Sequence, residues 1–180
     1  ERRFVLEPLH EIAPELVLAK GGPTVSELLK NLSALRIKPV GNSPEECEEA
    51  ATALNRLMPS LTEDYTALKA ADVARMLSTG LTRIYLGRDE SGKVQAGATL
   101  VLCCSQTGCK AWIEDVAVMP DCRRRGYGRA IIRFLIAESQ RLGAKSLNLT
   151  SQPKREAANA LYRSEGFVLR ETNVYRWQEK

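Results

Sequence analysis

The sequence predicts an α+β (mixed α/β) fold, with one central, mostly antiparallel sheet flanked by helices. Three features predict it. Periodic segments follow the order β-α-α-β-β-β-α-β-α-β between residues 35 and 177. The strand segments 82–88 and 94–104 are joined by Asp89-Glu90-Ser91-Gly92, a compact hairpin turn that makes them antiparallel. The β-branched stretch Asp115-Val116-Ala117-Val118 runs through a short basic loop directly into a long amphipathic helix.

Residues 1–34 read as an extension ahead of a domain at 35–180. Gly21-Gly22-Pro23 breaks it. Thr24-Val25-Ser26-Glu27 then has capping-box spacing for a short helix through Leu28, Leu29 and Leu32, a packing or dimer arm. Residues 35–40 alternate like a half-buried strand, and Pro39 puts that strand at a sheet edge. Ser43-Pro44-Glu45-Glu46 supplies a cap, a proline at the first position and a glutamate at the third. That helix runs through Ala50, Ala53, Leu54 and Leu57 and stops at Pro59. A polar loop holding Glu63, Asp64 and Tyr65 leads to a second helix through Leu68, Ala71, Val73, Met76 and Leu77. Gln106-Thr107-Gly108 turns the chain into a strand at 110–119. The helix at 126–142 buries Ile131, Phe134, Leu135, Ile136 and Leu142, with Gly143 as its stop. A strand at 145–150, a break at Pro153, a helix at 156–165 and final strands at 167–177 complete the chain; Trp112 and Trp177 lie on strands as packing residues.

Composition narrows the function. With 180 residues the chain is long enough for one full core, and a net charge of +4 is mild. The arginines around position 124 account for much of that charge, which points to a local anion site. No interleaved aromatics of the kind that stack on bases accompany them, so nucleic acid is not the expected partner. Five cysteines (Cys47, Cys103, Cys104, Cys109 and Cys122) form no Cys-x-x-Cys pair, and His10 is the one histidine. A zinc site or a histidine-activated nucleophile is therefore poorly supplied, no metal is expected, and the cysteines are expected to be reduced. No apolar run reaches the roughly 18 residues of a membrane span, and no signal peptide is visible, so a cytoplasmic location away from membranes is expected. The first residue is Glu1 rather than Met, so further chain upstream is expected.

The basic loop carries the chemistry. In Arg123-Arg124-Arg125-Gly126-Tyr127-Gly128-Arg129 the glycines let backbone approach a ligand closely, and unpaired N–H groups of the helix's first turn point at it. A phosphate or pyrophosphate is the expected ligand. There is no Gly-x-x-x-x-Gly-Lys-Ser/Thr, and Gly126-x-Gly128 lacks the third glycine of the dinucleotide fingerprint. The pattern Arg-x-x-Gly-x-Gly resembles the pyrophosphate loop of the GNAT superfamily of acetyl-CoA-dependent N-acetyltransferases. The final third supports the resemblance: Asn159 and Tyr162 share one helical face and Gly166-Phe167 follows, similar to that superfamily's Asn-x-x-Tyr and Gly-Phe signature.

What the resemblance implies is a GNAT fold whose central sheet splays beside the pyrophosphate loop and admits a pantetheine arm. Acetyl-CoA would be the co-substrate, with the backbones of Val116 and Val118 pairing to the pantetheine amides. Arg123, Arg124, Arg125, Gly126, Tyr127, Gly128 and Arg129 would hold the pyrophosphate, and Ser151, Asn159 and Tyr162 would complete the cofactor site. Transfer would be direct, in a ternary complex with a primary amine, and not through an acetylated Cys122. Basic neighbours are nevertheless expected to lower the Cys122 thiol pKa. Cys103 and Cys104 are expected as core or edge strand residues. Many members of the superfamily dimerise, so a homodimer exchanging the final strands is one implied arrangement.

Amine attack on a thioester needs a donor for the developing oxyanion, a base for the amine and an acid for the sulfur. Those roles fall to the Val118 N–H, to Glu114 and to Tyr162. Glu114 and Asp115, adjacent on a strand, should face opposite sides. Glu63, Tyr65, Glu114 and Asp115 are the expected acceptor-binding residues. The Glu114-Asp115-Val116 run resembles that of glucosamine-6-phosphate N-acetyltransferases, but Ser151-Gln152-Pro153-Lys154-Arg155 departs from them. The acceptor stays open between a small-molecule amine and a protein or peptide amine. A non-catalytic acetyl-CoA sensor is the third alternative.

Overall fold

A computed structural model describes residues 3–22, 24–26, 35–62 and 64–179. The first compact unit comprises residues 1–150. Its described elements are α1 (Arg3–Ile12), β1 (Arg36–Pro39), α2 (Pro44–Leu57), α3 (Ala70–Leu77), β2 (Thr82–Arg88), β3 (Val94–Ser105), β4 (Gly108–Val118), α4 (Tyr127–Arg141) and β5 (Leu147–Leu149). Short 3-10 turns at Met58–Ser60 and Pro120–Cys122 follow α2 and precede α4. The strands form one sheet in the order β1-β2-β3-β4-β5, antiparallel except for the β4–β5 pair. The expected α+β architecture is present, and Pro39 sits on the edge strand β1.

Local chemistry explains the helix starts. The Ser43 hydroxyl accepts from the Glu46 N–H at 3.2 Å, while the Glu46 carboxylate accepts from the Ser43 N–H at 3.4 Å. This reciprocal cap satisfies two orphan donors of α2, and Pro44 needs none. The α2 face of Cys47, Ala50, Ala53, Leu54 and Leu57 packs with Val73, Ile84, Leu86, Val94 and Ala117 in one buried cluster. Each fully buried leucine or isoleucine there contributes roughly 1.5–3 kcal/mol. Alternation sends the neighbouring Tyr85 to the other sheet face, where its ring meets Phe134 of α4 edge-on at 5.2 Å. Its hydroxyl donates to Glu138 at 2.9 Å, and Glu138 also takes two bonds from Arg141, both at 2.7 Å. Helices thus cover both faces of the sheet.

The β2–β3 turn is held by Asp89, which accepts from the Ser91 hydroxyl, the Ser91 and Lys93 N–H groups and Gln95. The Ser91 bond, then that from Gln95, hold its carboxyl down at about 2.

Several expectations are corrected. The helix Arg3–Ile12 was not foreseen in the N-terminal extension, and its Leu6 is buried. The expected helix through Leu28, Leu29 and Leu32 lies outside the described residues, as does Glu63; Thr24 bridges to Val17 just before it. Cys104 and Cys109 form a disulfide rather than staying reduced. They are direct cross-strand partners, one register step back from the Ser105–Gly108 pair at the hairpin tip. The Cys109 carbonyl accepts from the Lys145 N–H on the β5 side, so its backbone turns away from β3 and the cysteines meet at a narrow, non-hydrogen-bonded pair. Cys103, on the opposite face of the strand, is an exposed free thiol.

The second unit comprises residues 151–180. Its one described helix is α5 (Glu156–Ser164), and Phe167 packs back on Tyr162 with ring centroids 6.0 Å apart. The final strands expected at 167–177 do not form: the segment has no regular structure, and Val168, Leu169, Val174, Tyr175 and Trp177 are exposed. A strand needs a partner for its N–H and C=O groups, which an apolar-rich pattern does not by itself supply. Trp177 is accordingly neither on a strand nor a packing residue, whereas Trp112 is half-buried on β4.

Candidate active site

A β-bulge in β4 organises the site. Thr99 pairs with Glu114 and Gly97 with Ala117, so the two residues between the latter face one residue of β3. Asp115 carries the bulge at φ 52°, a left-handed conformation that aspartate tolerates better than most residues. Beyond it the strand's alternation shifts by one. Glu114 and Ala117 therefore share a face, three residues apart, as their β3 partners Thr99 and Gly97 show. The regular strand on which Glu114 and Asp115 were expected to face opposite sides is interrupted at Asp115.

The shift also decides which backbone groups are available. Met119 donates its N–H to the Gln95 carbonyl at 2.9 Å, next to the Ala96–Val118 pair. Hydrogen-bonded and non-hydrogen-bonded pairs alternate in an antiparallel ladder. Val118, and Val116 two residues before it, thus turn their N–H and C=O groups away from β3, toward the β5 side. There β5 pairs only with Ala111, Trp112 and Ile113. Past Ile113 the parallel pairing ends, so among the described residues the Val116 and Val118 backbones have no strand partner on that side, which leaves an opening in the sheet.

At the end of β4 the chain reaches the basic loop. Arg123, Arg124, Arg125 and Gly126 are exposed. Arg124 and Gly126 both adopt positive φ, 65° and 85°, and Gly126 is the N-cap of α4. A Cβ built on Gly126 meets nothing within 4 Å, so the requirement for glycine there is conformational and the space above it is open. Gly126 offers no side-chain cap, and the first helical bond runs from the Ala130 N–H to its carbonyl. The N–H groups of Tyr127 and Gly128 thus come ahead of the helical ladder at the positive end of α4. The Tyr127 side chain is buried, so that residue offers backbone alone to a ligand. Arg129 is half-buried in the first turn. Cys122 departs from expectation: it is buried, and burial followed by the Asp121 charge pushes its thiol pKa up, outweighing Arg125.

The Asp115 charge acts on both Glu114 and Tyr65. Burial, then the Asp115 charge, raises the Glu114 carboxyl above the usual carboxylate range. Burial also raises the Tyr65 phenol, and Asp115 adds to the effect. Sequence reasoning missed Asn55. Its Oδ1 accepts from the Tyr65 hydroxyl at 2.6 Å and from the Leu68 N–H at 2.8 Å, and its Nδ2 donates to the Leu68 carbonyl at 2.9 Å. An asparagine between Leu54 and Leu57 of an amphipathic helix was the only signal in the sequence.

In the second unit, Asn159 Nδ2 donates to the Gln152 carbonyl at 2.9 Å, tying the turn before α5 to the helix. Burial raises the Tyr162 phenol, with Arg155 opposing, so the hydroxyl keeps its proton at neutral pH. The Ser151 hydroxyl is buried without a hydrogen-bond partner, a costly state that a polar ligand group would relieve.

Known proteins resemble this chain in sequence and in fold. The model of the acetyltransferase (GNAT) family matches residues 52–167. The [ribosomal protein bS18]-alanine N-acetyltransferase of Escherichia coli (strain K12) is 41% identical over 58 residues, covering 32% of this chain and 39% of that protein. The chain thus matches well under half the length of that curated relative. A solved structure from Agrobacterium tumefaciens str. C58, provisionally described as an acetyltransferase, superposes with TM-score 0.68 at 26% identity, over 79% of this chain and 99% of that one. Glucosamine-6-phosphate N-acetyltransferase from Arabidopsis thaliana shares the fold, with TM-score 0.64 at 17% identity over 81% of this chain and 99% of that one. The chain belongs to the acetyltransferase (GNAT) family.

Proposed function

We propose that the chain transfers acetyl from acetyl-CoA to a primary amine of a small molecule, directly and without a covalent enzyme intermediate. The observation that carries this reading is the opening beside Val116 and Val118, next to a positively charged loop whose helix N-terminus is uncapped by any side chain. The residues fit acetyl-CoA: Arg123, Arg124, Arg125 and the N–H groups of residues 126–129 suit its pyrophosphate, and the Val116 and Val118 backbones suit its amides. Ser151, with its orphaned hydroxyl, and Asn159 are further cofactor residues on this reading. Acetyl-CoA supplies an activated thioester; the chain supplies alignment and proton handling.

Val118 N–H is the donor for the carbonyl oxygen as charge develops there. Glu114, with its raised pKa, takes the proton of an amine that is mostly protonated at neutral pH. Tyr162 holds the proton destined for the leaving sulfur. Glu114, Asp115 and Tyr65 are the acceptor-binding residues, and the two carboxylates favour a cationic amine. A protein N-terminal amine is the second reading, favoured by the 41% identity to an enzyme named for a ribosomal-protein alanine.

Thiol release from acetyl-CoA should be measured with glucosamine 6-phosphate, polyamines, aminoglycosides and alanine-starting peptides. Turnover on a small amine supports the first reading, and turnover confined to peptides replaces it with the second. Tight acetyl-CoA binding with no turnover on any amine would leave a non-catalytic sensor. With an amine that turns over, Tyr162→Phe should lower kcat about 100-fold, far more than it lowers acetyl-CoA affinity.

A further inference from the structure

Between α2 and α3 the described residues 61–62 and 64–69 form no helix or strand, yet they are anchored. Asn55 spends both ends of its amide on them. The Oδ1 atom takes the Tyr65 hydroxyl and the Leu68 N–H, while Nδ2 donates to the Leu68 carbonyl. Fixing a backbone N–H and C=O of one residue with one side chain leaves that residue little freedom to move. Tyr65 and Leu68 then pack against the buried cluster that contains Leu57 of α2 and Ala117 of β4. Ala117 of that cluster lies two residues beyond Asp115, and the Asp115 charge acts on the Tyr65 phenol, so the clamp holds Tyr65 within electrostatic reach of the bulge.

We propose that Asn55 is a positioning residue, holding residues 65–68 so that Tyr65 forms a fixed wall of the acceptor site beside Glu114 and Asp115. The inference rests on the acetyl-transfer reading above. Asn55 does not itself meet the acceptor, because its polar atoms are engaged by Tyr65 and Leu68. The raised Tyr65 phenol pKa, to which the Asp115 charge contributes, agrees with this proximity. A fixed phenolic wall selects acceptors by shape and cation contact, whereas a loose loop would pay ordering entropy at every binding event.

The test combines hydrogen exchange with kinetics on the full chain, using an amine that turns over in the panel above. Asn55→Ala should speed exchange of the Leu68 amide and raise the acceptor KM about tenfold, with kcat and acetyl-CoA affinity nearly unchanged. Tyr65→Ala should raise KM to a similar extent while leaving the Leu68 amide protected. In the double variant the KM effects should not add, since Asn55 acts through Tyr65. If Asn55→Ala does not accumulate as folded protein, Tyr65→Ala carries the test, and an unchanged KM overturns the proposal. Unchanged Leu68 exchange in Asn55→Ala removes the clamp. Additive KM effects, or a loss confined to kcat or to acetyl-CoA affinity, reduce Asn55 to a structural residue. Absence of wild-type turnover on any amine rejects the acetyl-transfer reading itself, and this proposal with it.

Discussion

Met119 donates its backbone N–H to the Gln95 carbonyl at 2.9 Å, and that bond fixes the direction in which the adjacent Val118 faces. The bulge at Asp115 is what brings this register about. Without the extra residue, Asp115 and Ala117 would turn their backbone groups into the opening beyond β5, and Val116 and Val118 would turn toward β3. Deleting Asp115 should therefore cost about 100-fold or more in turnover, even where the protein stays folded. Asp115→Gly, which keeps the bulge and relieves the positive φ, should raise stability by about 1 kcal/mol. Chemical denaturation of both variants, with circular dichroism on the deletion, checks the pair. A folded deletion variant with wild-type turnover would detach the bulge from function.

Glu114 gives a pH prediction whose sign follows from its environment. Burial and then Asp115 raise its carboxyl pKa, so the basic form exists only above that raised value. Turnover should fall as pH drops through it, at a higher pH than an ordinary carboxylate would give. Asp115→Asn removes the second cause and should move this limb to lower pH. Glu114→Gln should abolish the limb and leave the dependence on amine ionisation, near pH 9–10 for a simple amine. A kcat/KM profile for the three proteins decides the matter; an unmoved limb in Asp115→Asn separates the two carboxyls.

Arg124 and Gly126 shape the loop as much as they charge it, since both sit at positive φ. Arg124→Ala with Gly126→Val removes a cation and forces a β-branched residue into a left-handed conformation. Acetyl-CoA affinity should fall about tenfold or more, and the loss should narrow at high salt as the charge contribution is screened. Arg124→Gly isolates the charge, because glycine accepts the same φ. Equal affinity of the double variant and wild type by calorimetry would take the loop out of cofactor binding.

Much of this was legible where chemistry is local. The Ser43–Glu46 cap, the Asp89 turn, the Gly126 helix start and the edge position of Pro39 depend on residues within a few positions of one another. What depends on partners was not. Trp112, Glu114 and Val116 read as one unbroken alternation, and only pairing with β3 reveals the bulge between Glu114 and Ala117. Phe167 to Trp177 carries a strand-like pattern yet takes no regular structure. The Asn55 clamp spans 13 residues to Leu68, beyond the reach of helical periodicity. The Cys104–Cys109 bridge was recoverable, since counting back from the two-residue turn at Gln106 and Thr107 places the cysteines opposite each other.

That bridge yields the last prediction. It closes a short ring, with a sequence separation of 5, so chain-entropy arguments give it about 2 kcal/mol. The hairpin tip keeps other ties: Lys145 donates its ammonium to the Thr107 carbonyl at 3.0 Å, and the Ser105 and Thr107 hydroxyls lie 3.0 Å apart. Reduction should therefore lower Tm by several degrees, about 4–8 °C for a chain of this size, without unfolding the protein. Alkylation of the native protein should label Cys103, because Cys47 and Cys122 are buried, and reduction should add Cys104 and Cys109. The tip lies about nine residues, or roughly 30 Å of extended strand, from Val118. Acetyl-CoA affinity should accordingly be the same in oxidised and reduced protein, and a Cys104→Ser/Cys109→Ser variant should lose the response of Tm to reductant. Equal labelling before and after reduction would show that the bridge does not form in solution.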